Sequence, residues 1–473
     1  MKGAVASGHA LTTLAGIRML EKGGNAFDAL VSAAFASSVA EMGYSTLGGG
    51  GYILGHNYAD GQDFLYDCFV NYPGIGADSE KFHLEPVGLN FSETTQVFNI
   101  GMGSIAVHGV LKGLIHCYVK HCTMDLKDII APAIEFLRDG VLITPAQKKF
   151  FDILNPIYTK YAYGRELLLG NPDRLYNPLL KEFLELCSID DWLNILYYGD
   201  GTKQFLEDVK KGDGNLTKQD LEEYQVIERS PISLKYHDYE IITNGPPSIG
   251  GTVVSESLLE YLSTDSSKLD TLSKHMLRAR ILEDINKKKG AGGTTHISVI
   301  DSNNNAVGMS LSGGCCCGYF YPETGIMMNN MLGETDLHFD YDDSKKAGRR
   351  VCSMMAPTLI KKEGKVQVCL GTGGSNRIRS ALLQVIWNYI DDGMDIKTAI
   401  ESPRIHFDEN GNLQVEPLES KDLQEFLKKE YLHTNFWSEK SLYFGGVHAV
   451  LGNFDGWGDS RRDGAFTQLY QSQ

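Results

Sequence analysis

The stretch Gly292-Gly293-Thr294-Thr295-His296-Ile297-Ser298-Val299-Ile300 passes from small residues directly into an apolar, strand-like run. A second apolar run, Ala306 to Leu311, follows after Asp301-Ser302-Asn303-Asn304-Asn305. Two alternating runs joined by turn residues predict a β-hairpin with the polar residues at its tip. Because the Asp/Asn tip lacks the downstream Gly and Glu spacing of a calcium loop, we exclude a calcium site there.

Helices and strands alternate on both sides of this hairpin. Helical spacing runs from Ala10 to Lys22 and from Ala26 to about Glu41, and four glycines then precede a strand at Tyr52. Residues from about 105 to 235 have a mainly helical pattern, whereas residues 263 to 293 are polar and predict an exposed loop. The last 180 residues are rich in strands. This order predicts an α+β fold.

Composition and charge exclude several classes of protein. The 473 residues include 44 Lys and Arg against 60 Asp and Glu, and the net charge of −16 argues against nucleic-acid binding and against a polybasic membrane anchor. There is no run of about 18 apolar residues to span a membrane, and the N-terminus has no apolar core of signal-peptide length. We therefore expect a cytoplasmic protein, or an extracellular or periplasmic one if a leader was removed.

Nine cysteines are scattered along the chain, and Cys315, Cys316 and Cys317 are adjacent. An odd number without Cys-x-x-Cys pairs does not indicate a disulfide framework. The triplet fits either a soft-metal site or a buried strand of small apolar side chains, and the second interpretation is favoured. We therefore expect no metal.

Thr294 is the first residue of the opening stretch that could carry chemistry. A Thr hydroxyl is a poor nucleophile unless a base lies beside it, and a Thr that becomes a new N-terminus can use its own α-amine, with a pKa near ~8, as that base. Cleavage before such a Thr needs a small, flexible preceding residue, and Gly293 meets that need. On these residues alone, a plain β-branched strand start remains the simpler interpretation.

A glycine turn, Gly371-Thr372-Gly373-Gly374-Ser375, lies between an apolar strand and a helix from Ile378 to Asp392. Glycines at a helix N-terminus leave backbone N–H groups free to hold an anion, either a nucleotide phosphate or the oxyanion of a tetrahedral intermediate. No Walker lysine follows, and no acidic residue lies in the right place for a dinucleotide ribose. The nucleotide interpretation is therefore disfavoured.

Nine segments in sequence order resemble the γ-glutamyltranspeptidase (γ-glutamyltransferase) family over nearly the whole chain. Any one of them could arise by chance, but nine in order are specific. The segments are Ala4 to Ala29, Leu47 to Tyr52, Pro246 to Gly251, Thr294 to Val299, Gly325 to Asn330, Met355 to Thr358, Gly371 to Arg377, Ser402 to His406 and Arg461 to Ala465.

The resemblance implies an N-terminal-nucleophile hydrolase with a four-layer αββα sandwich and a mainly helical section in its first part. It implies self-cleavage between Gly293 and Thr294, giving a large chain of residues 1–293 and a small chain of residues 294–473 that stay associated as one structural unit. Thr294 would then be the nucleophile and its α-amine the general base. Ser312 would support the nucleophile, in the place of a family Thr. No cofactor is implied.

The same resemblance assigns the oxyanion hole to the backbone N–H groups of Gly373 and Gly374. Hydrolysis and acyl transfer then differ only in whether water or an amine attacks the acyl-enzyme.

The residues that would bind substrate depart from the family pattern. Phe69 stands where the family has the Arg that holds the glutamyl α-carboxylate, and the α-amine contacts fall on Gly314, Met331 and Glu334, of which only Glu334 keeps a suitable group. The family's paired serines are replaced by Cys352-Ser353. Arg349, Arg350 and Arg377 are alternative carboxylate partners, although structural roles are favoured for them.

These observations predict a self-processing γ-glutamyltransferase-like enzyme that cleaves or transfers a γ-glutamyl or related acyl group from an amide. The alternatives are a related amidase of different acyl specificity, such as a glutaryl-amide acylase, and a catalytically silent member that binds a ligand. The sequence leaves the oligomeric state open, a homo-oligomer included. Only 42 residues separate Gly251 from Thr294, fewer than is usual in the family.

Overall fold

The computed structural model describes residues 2–77, 83–90, 95–264, 268–286, 294–334, 337 and 346–469. Within these ranges the strands are β1 (Gly3–Ser7), β2 (Gly50–Asn57), β3 (Gln62–Cys68), β4 (Glu85–Asn90), β5 (Thr95–Ile100), β6 (Val141–Leu142), β7 (Arg174–Leu175), β8 (Ile227–Arg229), β9 (Ile232–Tyr236), β10 (Tyr239–Thr243), β11 (Thr295–Asp301), β12 (Ala306–Ser312), β13 (Thr358–Lys362), β14 (Lys365–Gly373), β15 (Ile405–Phe407), β16 (Leu413–Val415), β17 (Thr434–Phe436), β18 (Gly446–Leu451), β19 (Gly456–Gly458) and β20 (Ala465–Leu469).

The α-helices of the same ranges are α1 (Ala10–Glu21), α2 (Ala26–Ala40), α3 (Val110–His121), α4 (Leu126–Asp139), α5 (Pro145–Tyr158), α6 (Ala162–Leu169), α7 (Pro178–Glu185), α8 (Ile189–Leu193), α9 (Gly201–Lys211), α10 (Lys218–Glu223), α11 (Gly250–Ser263), α12 (Thr271–Asn286), α13 (Arg377–Ile386), α14 (Ile396–Glu401) and α15 (Lys421–Glu430).

Two large antiparallel sheets lie face to face. The first has the strand order β20-β1-β11-β12-β2-β3-β8 and the second the order β19-β18-β14-β13-β10-β9. Smaller sheets pair β15-β16-β17, β4-β5 and β6-β7. The first sheet contains strands that precede Thr294 and strands that follow it. Strand β1, for example, pairs with β20 on one side and with β11 on the other.

The predicted hairpin is confirmed and forms the middle of the first sheet. Strands β11 and β12 pair antiparallel from Thr295 opposite Leu311 to Ile300 opposite Ala306, and both strands are buried along their whole length. Asp301 closes the tip, because its Oδ1 accepts hydrogen bonds from the backbone N–H groups of Asn303 and Asn305. The polar tip therefore serves the turn.

Helices cover the outer faces of both sheets. Helices α1 and α2 pack against the first sheet, and α11 and α13 pack against the second. A separate core, which includes Tyr52, Leu359 and Cys369, lies between the two sheets. The layers are therefore helix, sheet, sheet and helix, and the predicted αββα sandwich of the α+β class is confirmed, together with the helical section α3 to α10.

Two predictions about local structure were wrong. The polar stretch 263–293 contains helix α12, because Leu277, Ile281 and Ile285 recur every four residues and face the second core. Cys315, Cys316 and Cys317 are buried as expected, but they lie in a turn after β12, with Cys316 at φ 62°, and not in a strand. In the described part of the chain, no helix combines the length and apolar character needed to cross a bilayer.

Candidate active site

Thr294 lies immediately before β11, in the centre of the molecule. The residue is 3% exposed, and its carbonyl oxygen accepts a hydrogen bond from Arg462 Nη1 at 3.1 Å. Gly373 lies against the same carbonyl, so closely that a Cβ at residue 373 would overlap the oxygen. Only glycine fits there, which places the end of β14 in direct contact with Thr294. Gly293, the other residue of the predicted cleavage site, lies outside the described residues.

Thr295, the neighbouring hydroxyl, is bound to a buried carboxylate. Its Oγ1 donates to Glu41 Oε2 at 2.5 Å, and Thr12 Oγ1 donates to Glu41 Oε1 at 2.7 Å. Burial raises the pKa of Glu41 to about 7, opposed by the two hydroxyl hydrogen bonds and by the positive charge of Arg462. Sequence reasoning missed Glu41, because the contact joins residues that are 254 positions apart.

The predicted oxyanion turn follows Gly373. Gly374 has φ +131° and Ser375 has φ 58°, both in the region that disfavours ordinary side chains. Thr372 holds the end of the strand, because its Oγ1 donates to the carbonyl of Gly373 at 2.7 Å and accepts from the N–H of Gly446 at 3.2 Å. A strained, braced turn of this kind is typical of functional sites.

A small cavity lies beside Thr294. Its lining includes five residues of the predicted site, namely Phe69, Thr294, Ser312, Met331 and Ser353. It also includes Leu337, Met354, Met355, Ser375 and Ile378, which sequence reasoning did not assign to the site.

Ser312 ends β12 on the cavity wall. Its Oγ accepts a hydrogen bond from the N–H of Gly314 at 2.8 Å, which orients the hydroxyl at the end of the strand. The structure thus brings Thr294 and Ser312 to one cavity from the two strands of the same hairpin.

Two predicted substrate-binding residues are not among the cavity's lining residues. Glu334 is buried, and its Oε1 accepts from Asn330 Nδ2 at 3.1 Å and from the N–H of Cys315 at 3.4 Å. Cys352 is only partly buried, whereas the next residue, Ser353, reaches the lining. Gly373 adjoins Thr294 through the backbone, whereas Gly374 lies against Gly445; neither glycine contributes a side chain.

The arginines considered as carboxylate partners have structural contacts. Arg350 forms an ion pair with Asp67, Nε to Oδ1 at 3.0 Å, and donates to backbone carbonyls of the strand end. Arg377 donates from Nε to the carbonyl of Tyr443 at 2.8 Å and lies over that ring. Arg349 is exposed. None of the three is a lining residue of the cavity.

Burial raises the pKa of the thiols of Cys315, Cys316 and Cys317, whereas metal ligation requires the thiolate. Within the ranges that the structure covers, no cluster of three or more His, Cys, Asp or Glu side chains is arranged to hold a metal ion. The packing interpretation of the triplet therefore agrees with its surroundings.

Comparison with known proteins identifies the relatives of this chain. The family model described as "Gamma-glutamyltranspeptidase" matches residues 12–280 and 256–469. The "Acylase ACY 1 proenzyme" of Pseudomonas sp. (strain V22) is 29% identical over 477 residues, covering 88% of this chain and 84% of the relative. The "Glutathione hydrolase proenzyme" of Escherichia coli (strain K12) is 27% identical over 478 residues, covering 86% and 81%.

Among solved structures, the cephalosporin acylase from Bacillus halodurans superposes with a TM-score of 0.84 at 20% identity, covering 98% of this chain and 95% of that one. At this identity the likeness concerns the fold. With the family model matching most of its length, the chain belongs to the γ-glutamyltranspeptidase family of enzymes.

Proposed function

We propose that the protein is a self-processing amidohydrolase or acyltransferase whose nucleophile is Thr294. The observation that carries the proposal is the position of Thr294 at the start of the central strand, on the wall of a cavity and against the Gly373 turn. The choice of Thr294 over Thr295 is supported by the hydrogen bond of Thr295 to Glu41, which commits the second hydroxyl elsewhere.

Self-cleavage releases the α-amine that the later reaction uses. Thr294 Oγ attacks the carbonyl carbon of the preceding peptide bond, the C–N bond breaks, and the resulting ester is hydrolysed by water. The products are residues 1–293 and residues 294–473. Their continued association is supported by the presence of strands from both parts in each large sheet, paired directly at β1-β20, β1-β11, β12-β2 and β10-β13.

The cleaved enzyme then acts on an amide substrate. The Thr294 α-amine accepts the hydroxyl proton as Oγ attacks the acyl carbon, and it returns that proton to the departing amine. The N–H groups of Gly373 and Gly374 stabilise the oxyanion, and Ser312 orients the nucleophile. Water attack on the acyl-enzyme gives the free acid, whereas attack by an amine gives a new amide; either step regenerates Thr294.

The class of substrate is supported by relatives that bear the names glutathione hydrolase and acylase. A γ-glutamyl amide is one candidate donor. An amidase of different acyl specificity is the second, and it is favoured by the presence of Phe69, Met331 and Met354 on the cavity wall.

The intact mass of the purified protein tests self-processing. We expect two chains whose junction lies directly before Thr294, one uncut and inactive chain for Thr294→Ala, and retained cleavage for the matched variant Thr294→Ser. Cleavage of the Ala variant at the same bond would refute the assignment. A silent ligand-binding protein would instead remain uncut in its wild-type form.

A further inference from the structure

The cavity beside Thr294 is walled by apolar side chains and hydroxyls. Phe69, Met331, Leu337 and Ile378 surround it together with Met354 and Met355, and the polar lining consists of Thr294, Ser312, Ser353 and Ser375. Among the described residues, the lining contains no charged side chain.

One candidate cation, Arg350, has both of its Nη groups occupied. Nη1 donates to the Phe69 carbonyl at 2.6 Å and to Asn71 Oδ1 at 2.7 Å, and Nη2 donates to the carbonyls of Asp67 and Gln225 at 3.0 and 2.9 Å. Nε faces Asp67 Oδ1 at 3.0 Å. Because the four Nη N–H donors are used and Nε is buried beside Asp67 without a hydrogen bond, no pair of donors remains for a bidentate contact with a substrate carboxylate.

Two further arginines near Thr294 are directed at backbone carbonyls. Arg462 donates from Nη1 to the Thr294 carbonyl, and from Nε and Nη2 to the carbonyl of Leu442 at 3.3 and 3.2 Å. Arg377 stacks 4.5 Å from the ring centroid of Tyr443. Arg462 holds the chain at the nucleophile and Arg377 holds it at Tyr443, and neither belongs to the cavity wall.

Glu334, the carboxylate that could pair with a substrate ammonium, also lies outside the cavity lining. Glu334 is 3% exposed and accepts hydrogen bonds from Asn330 and from the N–H of Cys315, outside the lining of the cavity. A substrate carrying both an α-carboxylate and an α-ammonium would meet hydroxyls and apolar side chains on the wall, but no opposite charge among the described lining residues. An unpaired charge in an apolar pocket is strongly disfavoured.

We propose that this pocket accepts an uncharged, short aliphatic acyl group instead of a γ-glutamyl or glutaryl group. The inference rests on the proposed function, since it assumes that Thr294 attacks the acyl carbon. Methionine side chains are flexible and adapt to chains of different shape. The cavity is small and closely lined by ten residues, which limits the acyl group to a few carbons.

Matched p-nitroanilides of pentanoic, glutaric and γ-glutamic acid test the proposal on the wild-type protein. Pentanoyl differs from glutaryl only by a methyl group in place of the carboxylate. We expect kcat/KM for the pentanoyl anilide to exceed that for either charged anilide by at least about a hundredfold. Equal or faster turnover of a charged anilide would overturn the proposal, and so would the failure of a correctly cut enzyme to turn over any of the three.

Variants of Phe69 provide the matched comparison. Phe69→Arg should reduce the ratio of kcat/KM for the pentanoyl anilide to kcat/KM for the glutaryl anilide at least about tenfold, because it adds a cation to the wall. Phe69→Leu should keep the preference for the pentanoyl anilide unchanged. Met354→Arg, on a different segment, serves if the Phe69→Arg protein does not fold. Intact mass separates the two proposals, because an uncut, inactive wild-type protein refutes the assigned function itself.

Discussion

Glu41 makes the stability of the protein depend on pH, and the direction can be worked out. Its carboxyl group has an ordinary pKa of 4.5 in the unfolded chain and a pKa of about 7 in the folded one, mainly because it is buried. The contribution of the protonated carboxyl to the free energy of unfolding is fully present below pH 4.5 and is lost as the pH rises through 7. The difference corresponds to at most about 3 kcal/mol of unfolding free energy.

Glu41→Gln removes the titration and keeps the hydrogen bonds. The amide oxygen can accept from one of Thr12 and Thr295, and the amide N–H can donate to the other hydroxyl. The Tm of the variant minus the Tm of the parent should therefore rise by about 3 °C between pH 4.5 and pH 8.5, since a chain of this length has an unfolding entropy near ~1 kcal/mol/K.

Thermal unfolding should be measured in the Thr294→Ala background, so that every molecule is a single uncut chain. Glu260→Gln, which changes an exposed carboxylate on α11, is the matched control for exchanging a carboxylate for an amide at the surface. If the Glu41→Gln difference is flat from pH 4.5 to pH 8.5, the carboxyl group does not titrate as burial requires, and the reasoning is refuted.

Three other substitutions have definite expected outcomes. Gly373→Ala should abolish self-cleavage, because the added Cβ overlaps the Thr294 carbonyl; intact mass reports this, and wild-type cleavage would contradict the close contact. Ser312→Ala should slow anilide turnover by roughly 10- to 100-fold while Ser312→Thr retains most of it, in steady-state assays; equal rates would remove Ser312 from the site. Arg350→Met should destabilise the protein by about 3–5 kcal/mol, because it leaves Asp67 buried with fewer partners. Denaturant unfolding at neutral pH measures the loss, and an unchanged midpoint would contradict the structural role of Arg350.

Much of the fold follows from local patterns, and the site follows only in part. The hairpin around Asp301 is encoded by neighbouring residues and was predicted. The cap of α2 is equally local, because Asn25 Oδ1 accepts from the N–H of Phe27 at 2.8 Å. Helix α12 was missed, because its apolar residues are sparse in a polar stretch. Their helical spacing becomes evident only once they are seen to pack against the second core.

Contacts between distant segments account for the residues that the sequence did not reveal. Arg462 reaches Thr294 across 168 positions, and Glu41 reaches Thr295 across 254. Met354 enters the cavity wall beside Ser353, where the resemblance had pointed to Cys352. Such positions depend on how two sheets pack, and no spacing along the chain encodes that packing.

The placement of β1 between β20 and β11 has a consequence for the life of the protein in the cell. Strand β1 can be flanked on both sides only after β20 has been made, and β20 follows the other described strands in the chain. The sheet that holds Thr294 is therefore complete only when β20 is in place, and in the proposed reaction the cut marks chains that have reached that state. The fraction of cut chains in a cell extract would then measure the fraction of copies that have folded correctly, and truncated or misassembled copies would remain uncut.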